Sequence, residues 1–117
     1  MLSNAEISDD ELLYRRVIGF HVVNNTRISS GAFKDRRGKP ENEISVDIAG
    51  MTTPEACLAR APNTSFRIGE LVARDARELG FDVVLDPLPD NDAHALICGE
   101  NSPARCRALA QRTRLII

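Results

Sequence analysis

The sequence has no Trp and only five other aromatic residues, Tyr14, Phe20, Phe33, Phe66 and Phe81, so aliphatic side chains must build its core. No apolar run approaches the ~20 residues that a bilayer-crossing helix needs, which excludes a membrane span of that kind. A large excess of either sign of charge is also missing. The 15 basic and 17 acidic residues leave a net charge of -2, which provides no global field for DNA or anionic membranes. The three cysteines, Cys57, Cys98 and Cys106, show no Cys-x-x-Cys spacing, and the only histidines, His21 and His94, are far apart in sequence. Zinc requires closely spaced ligand pairs, so no metal site is expected, and no cofactor either. Gly-x-Gly-x-x-Gly, Walker-type and His-Glu-x-x-His patterns are all absent. The acidic opening Met1-Leu2-Ser3-Asn4-Ala5-Glu6 lacks the basic and apolar regions of a signal peptide, which points to the cytosol and to reduced, buried thiols.

A chain of 117 residues is the size of one domain. At 43% apolar and 27% charged residues it is too apolar for disorder. Ser8-Asp9-Asp10-Glu11 places a cap and three acids before Leu12-Leu13-Tyr14 and predicts a short helical turn. Val17–Val23 is β-branched and apolar and reads as a strand, closed by the turn Asn24-Asn25-Thr26. Residues 27 to 43, with Gly31, Gly38, Pro40 and clustered charge, read as a loop. Glu43–Ala49 alternates strictly and predicts a half-buried strand with Ile44, Val46 and Ile48 inward. Thr52-Thr53-Pro54-Glu55 opens a helix through Ala61, with Thr52 and Glu55 as a capping box and Pro62 as the stop.

Phe66-Arg67-Ile68 reads as a short extended piece or as the approach to a helix over Glu70–Leu79, with Gly80 in the C-cap position. Phe81–Leu85 and Ala93–Cys98 are strands, and Ser102-Pro103 starts a helix through Arg112. Leu115-Ile116-Ile117 is a final strand or an apolar helix tail. The interleaved order predicts one compact α+β domain, a mixed or antiparallel sheet covered on one side by about three helices.

The small net charge conceals local blocks. Asp82, Asp86, Asp90, Asp92 and Glu100 occur in a stretch without Lys or Arg. Arg27, Lys34, Arg36, Arg37 and Lys39 face Asp35 alone, and Arg105, Arg107, Arg112 and Arg114 have no acid among them. Lys34, Arg36 and Arg37 are accordingly the candidate binding residues, for a protein partner or a small anionic ligand. Nucleic acid is disfavoured, because only Phe33 interrupts the basic stretches, whereas phosphate tracking draws on aromatics for stacking. The candidate chemical residues are Arg15, Ser29, Ser30 and His94, which sit at strand ends or in the irregular loop where sheet proteins place their sites. Ser29-Ser30-Gly31 offers hydroxyls and flexible backbone amides, which together can hold an anion. His94 contributes a titratable imidazole. Cys98 shares a strand face with it, but burial would keep that thiol inert.

Three segments, Leu13–Arg16, Arg27–Asp35 and Glu43–Asp47, together with Asp86–Ile97, resemble a family of small bacterial cytosolic proteins without established activity. Leu13-Tyr14-Arg15 also resembles the opening element of RES-type toxins, which are ADP-ribosyltransferase-like and attack NAD. That resemblance implies a role for Arg15 in holding NAD, a later serine, and a glutamate for which Glu55 stands nearby. The Gly-Gly-Arg-Trp segment typical of those toxins is absent, and Arg27-Ile28-Ser29-Ser30 stands nearby instead. The expectation is a non-enzymatic binding or accessory protein acting through charged surfaces. The alternatives are a nucleotide- or NAD-using enzyme and a nucleic-acid-binding module. Pairing of two copies through a strand edge at Leu115–Ile117 is compatible with the sequence, as is a buried last strand.

Overall fold

A computed structural model of the chain describes residues 7–24, 27–33, 43–62, 64–100 and 102–117. At its centre lies β1 (Leu12–Ile18), in a six-stranded sheet of order β6-β7-β4-β1-β5-β8 in which every pairing is antiparallel. The other strands are β4 (Glu43–Ile48), β5 (Phe66–Val72), β6 (Asp82–Leu85), β7 (His94–Cys98) and the two-residue β8 (Arg114–Leu115). A separate hairpin joins β2 (Val22–Val23) to β3 (Arg27–Ile28). Among the described residues three α-helices complete the α+β fold: α1 (Pro54–Ala59), α2 (Ala73–Glu78) and α3 (Pro103–Arg112). Among the described residues, no helix is long and apolar enough to cross a membrane.

Directly opposed residues in a ladder share a face, so the register assigns side chains to the two sides of the sheet. Leu13, Val17, Ile44, Val46, Ile48, Leu71, Val83, Ala95 and Ile97 form one face and pack with Ala73 and Ala76 of α2 and Cys106, Leu109 and Ala110 of α3. Tyr14 and Ile68 point the other way, against Cys57 and Leu58 of α1 and against Ile116 and Ile117. The helices therefore lie on both sides of the sheet rather than on one.

Several local expectations are corrected. Residues 12–14 begin a strand instead of ending a helical turn, and the strand foreseen at 17–23 is split by a 3-10 turn at Gly19–His21. The reason is Arg15, which shares the core face with Leu13 and Val17 and so disguises the alternation of β1. Glu70, Leu71 and Val72 belong to β5, not to a helix. Their apolar spacing suits both elements, but β5 pairs with β1 along its whole length and buries Leu71 against Leu13. Helix α2 is left with Ala73–Glu78, followed by Gly80 at φ +96° as foreseen. The cap of α1 is Thr53, whose Oγ1 accepts the Ala56 N–H at 3.0 Å, and the helix stops at Ala59. The loop foreseen at 27–43 contains β3 and a 3-10 turn over Ser30–Phe33. Lys34, Arg36 and Arg37 lie outside the described residues.

Candidate anion-binding site

Helix α3 buries Cys106, Leu109 and Ala110, the 3/4 spacing of one helical face. The Cys106 thiol donates to the Phe33 carbonyl at 3.4 Å, holding the 3-10 turn against the helix. Arg107 and Gln111, four residues apart, stand exposed at the margin of that face. They meet the end of the β2–β3 hairpin, and between them lies an open cleft of about 490 Å³. Arg27, Ser29, Ser30, Arg107 and Gln111 supply its polar wall, and Val23, Ile28 and Ala110 an apolar one.

The state of the two arginines sets this cleft apart. Arg16, Arg74, Arg77, Arg112 and Arg114 are held by acids. Arg15, Arg60, Arg67 and Arg105 donate to carbonyl or hydroxyl oxygens. Among the described residues, the side chains of Arg27 and Arg107 make neither a hydrogen bond nor an ion pair, and both residues line the cleft. Guanidinium groups carry forked donors that suit carboxylate and phosphate oxygens. Serine hydroxyls at the same wall add neutral donors.

The four candidate chemical residues do not come together. Ser29 and Ser30 are in the cleft. Arg15 is buried on the core face of β1. Its Nε and Nη2 donate to the Ala32 carbonyl at 3.0 and 2.9 Å, and its Nη1 to the Ser45 carbonyl at 2.7 Å. It borders a smaller recess of about 110 Å³ with Arg16, His21 and Phe66. His94 lies two strands away on the opposite face, opposite Asp47. Its Nδ1–H donates to the Asp86 carbonyl at 2.9 Å and stands 3.2 Å from an Asp86 carboxylate oxygen. Glu55 is exposed on α1. Cys98 follows His94 on the same face, where burial, then Glu43, Asp82 and Asp86, raise its thiol pKa and oppose reactivity.

Sequence reasoning missed three things. Arg107 was visible only as one member of an acid-free block. His21 was seen only as one of two histidines, yet its Nδ1 lies 3.2 Å from Ser29 Oγ. Asp47, on the supposed outer face of its strand, is fully buried beneath α1. Arg16 Nη1 reaches its Oδ2 at 2.8 Å, and Asn91 Nδ2 donates to its Oδ1 at 2.9 Å. Strand alternation identifies two faces but does not say that the second will also be covered. Among the described residues no group of three or more His, Cys, Asp or Glu side chains is arranged to hold a metal ion. No family model, curated protein or solved structure matches the chain.

Proposed function

We propose that this protein binds a small anionic ligand, carboxylate or phosphate, in the cleft between the β2–β3 hairpin and α3, and that it works in the cytosol. One observation carries the reading: Arg27 and Arg107, the two arginines without partners among the described residues, come from segments some 80 positions apart and line one cleft with Ser29 and Ser30. Two like charges repel, and their convergence is favourable when an anion lies between them. The cleft is within the size range of small-molecule sites, and its apolar wall suits the body of a ligand whose head is charged.

Titration calorimetry with inorganic phosphate, succinate and AMP tests the reading. At least one of these probes is expected to bind, more weakly as salt rises. Arg27→Ala and Arg107→Ala are each expected to lower affinity about ten- to hundredfold, the worth of one charge-assisted hydrogen bond. Both side chains are exposed, so the melting temperature should not change. Absence of binding by all three anions, or full affinity in both variants, overturns it.

A further inference from the structure

The hairpin that forms one wall of the cleft carries a second arrangement, independent of the arginines. Val22 opposes Ile28 and Val23 opposes Arg27. Beyond these pairs the Ser29 N–H donates to the His21 carbonyl at 2.7 Å, so the ladder continues by one step and brings these two residues face to face. Their side chains meet, with His21 Nδ1 3.2 Å from Ser29 Oγ. The imidazole lies directly on the backbone of Gly31. A Cβ at that position would stand 2.5 Å from His21 Cε1 and 2.7 Å from Nδ1, so only glycine leaves room for the ring. The base is thus seated by the turn Ser30–Phe33 at the edge of the smaller recess, and Ser29 beside it is a lining residue of the cleft that holds Arg27 and Arg107.

We propose that Ser29 is a nucleophile with His21 as its general base, and that the cleft hydrolyses carboxylic esters whose acyl part carries an anionic group. The choice of an anionic substrate rests on the anion-binding reading above; the reactivity of Ser29 does not. A serine hydroxyl is a weak nucleophile until a neighbouring base takes its proton. The active tautomer carries its proton on Nε2 and presents the Nδ1 lone pair to Ser29. As the Ser29 Oγ–carbon bond forms, the hydroxyl proton passes to Nδ1. The tetrahedral adduct then collapses with cleavage of the ester C–O bond, and the leaving oxygen takes that proton and departs as an alcohol. Water attacks the acyl-serine, giving its proton to Nδ1, and Ser29 Oγ leaves and recovers it. The sum is one ester and one water to one acid and one alcohol, with no change of oxidation state. Arg27 and Arg107 bind the remote anionic group, and Val23, Ile28 and Ala110 face the chain between.

The intact chain is treated with a fluorophosphonate probe, and the adduct is mapped by peptide mass spectrometry. The result expected is modification of Ser29 and not of Ser30, slowed about hundredfold or more in His21→Gln and absent in Ser29→Ala. Methyl hydrogen succinate should protect wild-type Ser29 from the probe, and p-nitrophenyl hydrogen succinate should be cleaved in preference to p-nitrophenyl butyrate. The protection experiment needs only wild-type protein, so it stands if a variant fails to fold. No adduct on Ser29, or an undiminished adduct in a folded His21→Gln, overturns the proposal. Arg27→Ala with Arg107→Ala separates the two readings. Retained labelling with lost preference for the anionic ester supports both. Retained labelling with the preference intact leaves the nucleophile standing and removes the anion site.

Discussion

Asp47 is a carboxylate shut away from water, and what it touches explains why it is tolerated. Burial alone would raise its pKa. Hydrogen bonds from Cys57 and Asn91 and the charge of Arg16 outweigh burial and hold the carboxyl below its ordinary range. The stability it contributes is present above the ordinary carboxylate range, near pH ~4, and is lost as the pH falls. The partner thiol behaves in the opposite sense. Burial first, then the hydrogen bond and charge of Asp47, push Cys57 up to about 12 from the ordinary 9.0. The unfolded chain therefore releases the Cys57 proton first as the pH rises. Stability that is complete below pH 9.0 should decline towards pH about 12. Urea unfolding between pH 8 and 11 should show this decline, and Cys57→Ala should flatten it. Asp47→Ala leaves Arg16 with an uncompensated partly buried charge and should cost about 3–5 kcal/mol in the same measurement at pH 7.

Among the elements, β1 shows how an arginine can become a piece of framework. It pairs with β5 at seven positions but with β4 only at Leu13↔Ile48 and Tyr14↔Asp47. Beyond that point Arg15 bridges the two strands, bonding Ser45 of β4 and Ala32 of the 3-10 turn, with its guanidinium 6.0 Å from the Phe33 ring centre. Its resemblance to an NAD-holding arginine and its position here make opposite demands. Donors committed to two carbonyls are not available to a ligand without breaking the strap. Arg15→Met should therefore lower unfolding free energy by about 2–4 kcal/mol, since it removes charge-assisted bonds and leaves a buried carbonyl short of a donor. An arginine reserved for ligand would leave the urea midpoint unchanged on replacement.

At the scale of the whole molecule, the net charge of -2 is a sum of separate fields. Several pairs, Arg74–Asp10, Arg112–Asp75 and Arg112–Glu78, are solvent-facing ties between segments distant in the chain. Exposed pairs of this kind contribute about 0–1 kcal/mol, so Arg74→Ala should hardly move the thermal midpoint. Among the described residues the cleft arginines have no such ties, and on the proposed reading their charge acts on an anion that enters the cleft. Raising salt should separate the two roles, weakening anion binding while leaving the melting temperature nearly constant.

Much of the framework was legible because its signals are local. The alternation of Glu43–Ile48, the Ser102-Pro103 start of α3 and the glycine after α2 depend on a few neighbouring residues, and each appears where the sequence places it. Glu70–Val72 was misread because an apolar spacing that fits a helix also fits a strand, and only the seven-pair ladder with β1 decides between them. The site was less legible still. Ser29 and Ser30 stood out as a hydroxyl pair, but Arg107 joins them from another segment, and His21 from across a hairpin whose register the sequence does not state. By itself, then, the sequence determined an aliphatic α+β domain with charge in blocks, because propensity, alternation and capping act over a handful of residues. The tertiary structure alone decided which charges are spent inside the protein, as at Arg15, Arg16 and Asp47, and which have no side-chain partner among the described residues, as at Arg27 and Arg107. That distinction depends on what lies within hydrogen-bonding reach after the chain has folded, not on its order.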